Sequence, residues 1–130
     1  MNIALLAHDK RKELLVQFCI AYCGILSEHN LGATRTTGQL ITEVTGLPVQ
    51  LYLSCTQGGS QQIGARIVYN EIDFVIFFRD PHNLESDCDD LVRLCDEHNI
   101  PFASNLATAE VLIRGLDRGD MDWRNIVQGR

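Results

Sequence analysis

Hydroxyl and cationic side chains are concentrated in residues 33–38, which read Ala-Thr-Arg-Thr-Thr-Gly. An apolar run precedes this segment, and a helical pattern over residues 39–45 follows it. The first N–H groups of a helix have no partner within the helix, and the helix dipole favours an anion there. The additional donors are the hydroxyls of Thr34, Thr36 and Thr37 and the guanidinium of Arg35. The segment therefore predicts a phosphate site; the alternative is a polar turn in which Thr37 only caps the helix.

Other side chains capable of proton transfer or anion binding also follow apolar runs. They are His8, Asp9 and Lys12 after residues 2–7, Ser54, Gly58, Gly59 and Ser60 after residues 49–53, Asp80 after residues 74–78, and Ser104 and Asn105 after residues 100–103. Two alternatives involve no chemistry. His8 and Asp9 could form a helix cap with a neighbouring surface histidine, and Asp80 with Pro81 could form a turn.

The elements that must position these side chains alternate along the chain. Strand patterns at residues 2–7, 31–33, 49–53, 74–78 and 100–103 are each followed by a helical pattern. This order predicts a five-stranded, doubly wound parallel α/β sheet with right-handed crossovers and helices on both faces. Ligands of such sheets bind at the carboxyl ends of the strands. We therefore expect the polar clusters to converge on one edge.

Length and charge limit the classes of protein. A chain of 130 residues has room for one domain, and we interpret residues 117–130, with the apolar Met121, Trp123 and Ile126, as a C-terminal arm. The formal net charge of −6 argues against nucleic acid or an anionic membrane as partner. No apolar run approaches the length of a membrane span and no secretion signal is evident, so we expect a cytoplasmic protein.

The five cysteines predict neither a disulfide framework nor a metal site. An odd number of cysteines in a chain without a secretion signal favours reduced thiols. Cys19 and Cys23 lie one helical turn apart, and no second pair completes a tetrahedral zinc set. We therefore expect no zinc site.

Several short motifs, in order along nearly the whole chain, carry a resemblance to a known family. They are Ala7-His8-Asp9 with Lys12, Thr34-x-Thr36-Thr37-Gly38, Gly58-Gly59-x-Gln61, Phe77-Phe78-Arg79-Asp80-Pro81, Ala103-Ser104-Asn105 and Arg118-Gly119-Asp120-Met121-Asp122. The chain resembles the methylglyoxal synthase family. The resemblance implies a cytoplasmic, homohexameric lyase that converts dihydroxyacetone phosphate to methylglyoxal and inorganic phosphate without a metal or cofactor, and that is regulated by phosphate.

The resemblance also implies roles for individual residues. Lys12, Thr34, Thr36 and Thr37 would hold the phosphate, with Ser54, Gly58 and Gly59 beside them. His8, Asp9 and Asp80 would surround the reacting carbons, and Asp87 matches a loop aspartate of the family.

Three departures from the family pattern fall at the same predicted site. Ser60 replaces the aspartate that is the family's proposed general base, Arg35 replaces a glycine, and the loop at residues 81–87 is shorter, with no histidine in register although His82 is near. Two functions are consistent with these departures: a lyase with Asp9 or Asp80 as its base, and a non-catalytic binder of a phosphorylated metabolite. Two further interpretations are that Ser60 is an engineered substitution and that the ligand is larger, with a second anionic group that contacts Arg35.

Overall fold

Five parallel strands form one sheet in the computed structural model, which describes residues 1–82 and 90–127. The strands are β1 (Asn2–Ala7), β2 (Asn30–Thr34), β3 (Val49–Tyr52), β4 (Phe74–Phe78) and β5 (Phe102–Ala103). The helices are α1 (Lys12–Ala21), α2 (Cys23–Leu26), α3 (Arg35–Thr45), α4 (Gly59–Val68), α5 (Asp90–Glu97), α6 (Leu106–Arg118) and α7 (Trp123–Val127). The strand order β3-β2-β1-β4-β5 confirms the predicted doubly wound sheet.

Helices cover both faces of the sheet because its central strands are apolar on both sides. In β4 all five side chains are buried, and alternate residues enter different cores. Phe74, Ile76 and Phe78 pack with residues of α1, α3 and α6. Val75 and Phe77 pack with residues of α4 and α5.

The two central strands, β1 and β4, lie at the point where the connections change face. The helix after β1 packs in one core and the helix after β4 packs in the other. The two connections therefore diverge and leave a crevice at the carboxyl ends of these strands, which is where doubly wound sheets bind ligands. His8 follows β1 and Asp80 follows β4 closely, so the crevice lies between two of the predicted site residues.

Several element boundaries differ from the sequence-based expectation, and those of α3 and β5 have a clear physical reason. Helix α3 begins at Arg35, four residues before the predicted start at residue 39. The pattern did not indicate this first turn, because the turn is mostly polar and carries no apolar periodicity. Strand β5 begins at Phe102 rather than residue 100. The N–H of Ile100 donates to the carbonyl of Cys95 at 2.9 Å, and Pro101 has no N–H that could donate to a neighbouring strand.

The C-terminal segment is anchored by a buried arginine on α7. Arg124 is fully buried and pairs through Nε with Oδ1 of Asp73 at 3.3 Å. It also donates to the carbonyl of Asn99 at 3.0 Å and to Oδ1 of Asn70 at 3.1 Å. Nearby, Ile126 is 82% exposed, so α7 is fixed to the domain and still presents apolar surface.

Within the described ranges, no helix combines the length and apolarity that crossing a bilayer requires.

Candidate active site

The threonine segment forms the first turn of α3, directly at the carboxyl end of β2. Thr34 takes the extended N-cap conformation, and its side chain accepts no hydrogen bond from the helix. Arg35 and Thr36 are exposed, whereas Thr37 is fully buried. The Thr37 hydroxyl has no hydrogen-bond partner among the described residues. A buried hydroxyl without a partner is costly, so this turn presents an unused donor together with the free N–H groups of the helix.

A glycine fixes the position of this turn against β3. A Cβ atom at Gly38 would lie 2.5 Å from Cδ2 of Leu51 and 3.3 Å from Cγ1 of Val49. Only glycine allows α3 to approach the edge strand so closely. The start of α3 is thereby held beside the ends of both β2 and β3.

His8 and Asp80 are joined across the crevice between β1 and β4. The main-chain N–H of Asp80 donates to Nδ1 of His8 at 2.7 Å, and the N–H of His8 donates to the carbonyl of Phe78 at 3.1 Å. The imidazole also stands edge-on to the Phe77 ring, with centroids 5.1 Å apart. The histidine is therefore oriented by the strand next to its own.

This bond determines which nitrogen of His8 carries the proton. Since Nδ1 accepts a hydrogen bond, the imidazole is neutral and its proton is on Nε2. Nε2 is buried and has no hydrogen-bond partner among the described residues. His8 thus offers a neutral N–H donor, and its Nε2 and the Thr37 hydroxyl are the two buried side-chain polar atoms without a partner in the described part of the chain.

Asp9 and Lys12 form an ion pair at the end of β1. Nζ of Lys12 lies 2.9 Å from Oδ1 of Asp9, whose side chain is 91% exposed. The hydrogen bond and charge of Lys12 hold the pKa of Asp9 below its ordinary value. Lys10 and Lys12 are the two lysines of the chain, and both fall at this edge.

Asp80 has a different environment, because the residue is only 9% exposed. The main-chain N–H of His82 donates to Oδ1 of Asp80 at 3.0 Å. This bond lowers the pKa of Asp80, partial burial opposes the shift, and the charges of Lys10, His82 and Arg11 add to the lowering. The carboxylates of Asp9 and Asp80 are thus both ionised at neutral pH. Within the described part of the chain, neither makes a hydrogen bond to a threonine.

The turn after β3 folds tightly on the carbonyl of Ser54, which accepts from the N–H groups of Gln57 at 3.0 Å and Gly59 at 2.8 Å. Gly58 has φ of +108°, a conformation that favours glycine, and a Cβ at Gly59 would collide with the carbonyl oxygen of Leu53. Cys55, in this turn, is disulfide-bonded, whereas Cys19, Cys23 and Cys95 are free. The expectation of reduced thiols throughout is therefore wrong at Cys55, because composition and compartment carry no information on which side chains meet.

Ser60 lies in the first turn of α4, where its hydroxyl donates to Oε1 of Gln61 at 3.1 Å. A serine hydroxyl is not a general base near neutral pH without a neighbouring base to activate it, and this hydroxyl is directed to an amide. His82, the histidine of the shortened loop, contacts Asp80 through its main chain. Asp87, the predicted match to a loop aspartate, lies outside the described residues.

A cavity lies beside Asp80 and not at the threonine turn. It has a volume of about 720 Å³ and is lined by Arg11, Leu14, Phe78, Arg79, Asp80, Pro81, Ser104, Asn105, Leu106 and Ala107. The sequence had indicated Ser104 and Asn105 as a polar cluster after a strand, but not Arg11. The basic run Lys10-Arg11-Lys12 directly after β1 is the signal that could have identified it.

Comparison with known proteins agrees with this architecture. The MGS-like domain family model matches residues 15–104. A methylglyoxal synthase from Caldicellulosiruptor saccharolyticus is 62% identical over 130 residues, covering 98% of this chain and 92% of the relative. One from a Geobacillus species is 54% identical over 133 residues, covering 100% and 95%.

A solved structure gives the same result. The crystal structure of methylglyoxal synthase from Elizabethkingia anophelis matches with a TM-score of 0.82 and 43% identity, covering 86% of this chain and 76% of that chain. Sequence and fold thus agree over nearly the whole length, and the chain belongs to the methylglyoxal synthase family.

Proposed function

We propose that the protein is a carbon–oxygen lyase that eliminates phosphate from dihydroxyacetone phosphate, or a related phosphorylated ketone, to give methylglyoxal. The observation that carries the proposal is the pair of buried donors without partners, Nε2 of His8 and the hydroxyl of Thr37. They follow β1 and β2, which are adjacent parallel strands. A ketone oxygen and a phosphate group, separated by one carbon, suit two such donors.

The reaction needs a base, a hydrogen-bond donor to the ketone oxygen and a binding site for the phosphate. A base removes a proton from the hydroxymethyl carbon, and the electron pair forms an enediolate whose charge rests on the former ketone oxygen. The N–H of His8 would stabilise that oxygen without transferring a full charge. The hydroxyl on the former hydroxymethyl carbon then loses its proton as a C=O bond forms there, and the double bond moves to the carbon that bears the phosphate. The C–O bond of that carbon breaks with its electron pair leaving on the phosphate, and the enol product, protonated on the former ketone oxygen, tautomerises to methylglyoxal.

The phosphate is held, in this proposal, by the start of α3 together with Lys12. Thr34, Thr36, Thr37 and the uncapped N–H groups supply donors, and Lys12 supplies charge. Ser54, Gly58 and Gly59 would close the site from the end of β3. Arg35 is exposed beside these residues and would contact the phosphate or a second anionic group.

The base is the part of the proposal in which this chain departs most from its family. Asp80 is the better candidate, because it is shielded from water and its own N–H positions His8. Asp9 is exposed and neutralised by Lys12. Asp80 has a lowered pKa and would be a weak base, and loss of a well-tuned base commonly costs factors of about 100 to 10,000 in rate. We therefore expect slow turnover, with Asp87 as a further candidate.

A second function follows from Ser60. Without a carboxylate at that position, the same donors would bind a phosphorylated metabolite without reaction, and the protein would act as a sensor or regulatory module. The hydroxyl of Ser60 is already committed to Gln61, which favours this alternative over a new catalytic role for the serine.

A turnover assay on dihydroxyacetone phosphate, following methylglyoxal and free phosphate, separates the two functions. Turnover by the parent that disappears in Asp80→Asn supports a lyase with Asp80 as base. Activity that appears only in Ser60→Asp indicates an intact phosphate site without a base, and supports the sensor. If neither protein reacts but both bind inorganic phosphate, dihydroxyacetone phosphate is not the substrate.

Assembly and location belong to the same proposal. We propose a cytoplasmic homohexamer, in which the arm of residues 117–130 contacts a neighbouring subunit. The exposed side chains of Trp123, Ile126 and Val127 support this role. Light scattering of the whole protein beside Ile126→Asp would test the assignment, since a charge at a buried interface should reduce the mass.

A further inference from the structure

The proposed lyase crevice continues past Asp80, on the side away from the predicted phosphate site. The strands run in the order β2-β1-β4-β5 across this part of the sheet. The phosphate site lies after β2, His8 follows β1 and Asp80 follows β4 closely. A substrate with its phosphate at Thr37 and its ketone oxygen at His8 would therefore bring its hydroxymethyl carbon to Asp80. The cavity beside Asp80 begins there and extends to the residues that follow β5.

Dihydroxyacetone phosphate ends where this cavity begins. In the proposed binding mode, its last carbon is the one from which Asp80 takes the proton. The cavity has a volume of about 720 Å³, which by itself is within the range of sites that enclose a small molecule. Because neighbouring strands lie about 4.8 Å apart and an extended chain advances about 1.2 Å per bond, about three or four further atoms would reach from Asp80 to the end of β5.

The far wall of the cavity, formed by α1 and the start of α6, suits a chain that carries hydroxyl groups. Oδ1 of Asn105 accepts from the N–H of Thr108 at 3.0 Å, so the NH₂ group of the same amide is left to donate. The Arg11 guanidinium makes no hydrogen bond within the described part of the chain, and the Ser104 hydroxyl can donate or accept. Apolar contacts for the carbon skeleton come from Leu14, Phe78, Leu106 and Ala107.

We propose that the lyase acts on ketose 1-phosphates, in which a hydroxylated carbon chain replaces one hydrogen of the hydroxymethyl group of dihydroxyacetone phosphate. The phosphate would occupy the start of α3, the ketone oxygen would accept from Nε2 of His8, and the added chain would lie in the cavity past Asp80. This inference rests on the proposed function, because it extends the substrate of the same reaction.

The reaction is the same elimination with a different product. Asp80 takes the proton of the carbon that carries the added chain, and the electron pair forms an enediolate with its charge on the former ketone oxygen. The hydroxyl of that carbon loses its proton as a C=O bond forms there, and the double bond moves to the carbon that bears the phosphate. The C–O bond of that carbon breaks with its electron pair leaving on the phosphate. The enol, protonated on the former ketone oxygen, tautomerises to a methyl ketone, so the products are inorganic phosphate and a 1-deoxy-2,3-diketone.

A single carboxylate makes this reaction selective for one configuration. The reacting carbon of a ketose 1-phosphate has one hydrogen, which must face Asp80 while the added chain enters the cavity. D-xylulose 1-phosphate and D-ribulose 1-phosphate differ in configuration at this carbon alone. We therefore expect one of these two epimers to react and the other to remain unchanged.

Turnover of both epimers by the whole protein, measured beside dihydroxyacetone phosphate, tests the proposal. Phosphate release and trapping of the diketone with o-phenylenediamine are the readouts. The kcat/KM of the reactive epimer should be within about tenfold of the value for dihydroxyacetone phosphate or above it, because binding of a remote chain can stabilise the transition state.

Two variants assign the added chain to the cavity through the ratio of kcat/KM for the reactive epimer to that for dihydroxyacetone phosphate. Ala107→Leu, in the exposed first turn of α6, fills part of the cavity and should lower the ratio by about tenfold or more. Asn105→Asp keeps the cap of α6, removes the NH₂ donor and should lower the ratio by about threefold to tenfold. Ala21→Leu is the matched control, because Ala21 is exposed at the far end of α1 and should leave the ratio unaltered.

The possible failures of this inference and of the proposed function are distinguishable. Turnover of dihydroxyacetone phosphate without turnover of either epimer would overturn the inference and leave the lyase function intact, whereas no turnover of any of the three would overturn both. A ratio that neither Ala107→Leu nor Asn105→Asp lowers would overturn the placement of the chain in this cavity. Equal turnover of the two epimers would overturn the role of Asp80 as the single base.

Discussion

The main-chain N–H of Asp80 donates to Nδ1 of His8 at 2.7 Å, which joins the ends of the two central strands and fixes the proton of His8 on Nε2. In the proposed lyase this N–H stabilises the enediolate. The substitution His8→Asn removes this donor and should lower kcat by about 100- to 1,000-fold. The substitution His8→Gln can place an N–H near the Nε2 position and should retain more activity. Equal losses in both variants, measured by methylglyoxal release, would contradict the assigned role.

Thr37→Val should weaken phosphate binding without weakening the fold. The valine keeps the shape and removes a buried hydroxyl that has no partner, so the free energy of unfolding should stay the same or rise. The dissociation constant of inorganic phosphate should increase by about tenfold to a hundredfold. Calorimetric titration and urea unfolding measure the two quantities.

Thr42→Val, in the same helix, is the matched control for Thr37→Val. Thr42 donates to the carbonyl of Leu47 at 2.8 Å, so its loss should cost about 0.5 to 1.5 kcal/mol of stability and leave phosphate binding unchanged. A Thr37→Val protein that behaves like Thr42→Val would exclude a role in anion binding.

Stability should fall in acid partly through Asp80. Its pKa in the folded protein is lowered, chiefly by the N–H of His82, while an unfolded aspartate titrates at about 4. The stabilisation is therefore complete above about pH 4 and is lost as pH falls through the lower folded pKa. In Asp80→Asn the melting temperature should therefore decrease less as the pH is lowered. Asp9→Asn should have a smaller effect, because Asp9 is 91% exposed; the reverse order would show that Asp80 is not the better-shielded carboxylate.

Arg124→Ala should destabilise the protein by about 3 to 5 kcal/mol, because it leaves the carboxylate of Asp73 buried without its cation. Arg118→Ala provides the comparison, since the Arg118–Asp120 pair is exposed and should contribute about 1 kcal/mol or less. Chemical unfolding of both variants gives the difference. A small loss in Arg124→Ala would mean that α7 is not anchored through this pair.

Gly59→Ala should disrupt the turn after β3, because a Cβ there would collide with the carbonyl of Leu53. Gly24→Ala is the control, since nothing lies within 4 Å of its Cβ position in α2, and alanine in a helix should add about 0.5 to 1 kcal/mol. We expect Gly59→Ala to lower both the melting temperature and phosphate affinity, as seen by thermal unfolding and calorimetry. A stable Gly59→Ala protein with normal affinity would show that the turn can shift without loss.

Much of the fold could be predicted, because each strand is a short apolar run with a polar cluster directly after it. For the runs at Asn2–Ala7 and Phe74–Phe78, the predicted first and last residues of the strand match the structure. The start of α3 was missed by four positions, since periodicity is visible only where a helix face is apolar. That error matters for the site, because it places Arg35, Thr36 and Thr37 in the helix and not in a loop.

The sequence alone determined the class of sheet, the edge at which polar residues gather and the family to which the chain belongs, because strand-length apolar runs and short motifs are local along the chain. Only the tertiary structure decided that Asp80 orients His8, that Thr37 is buried with an unused hydroxyl, and that Arg11 borders the cavity beside Asp80. These relationships join residues far apart in the chain or depend on which side of a helix is covered. Their physical origin is packing between elements, which no local pattern of residues records.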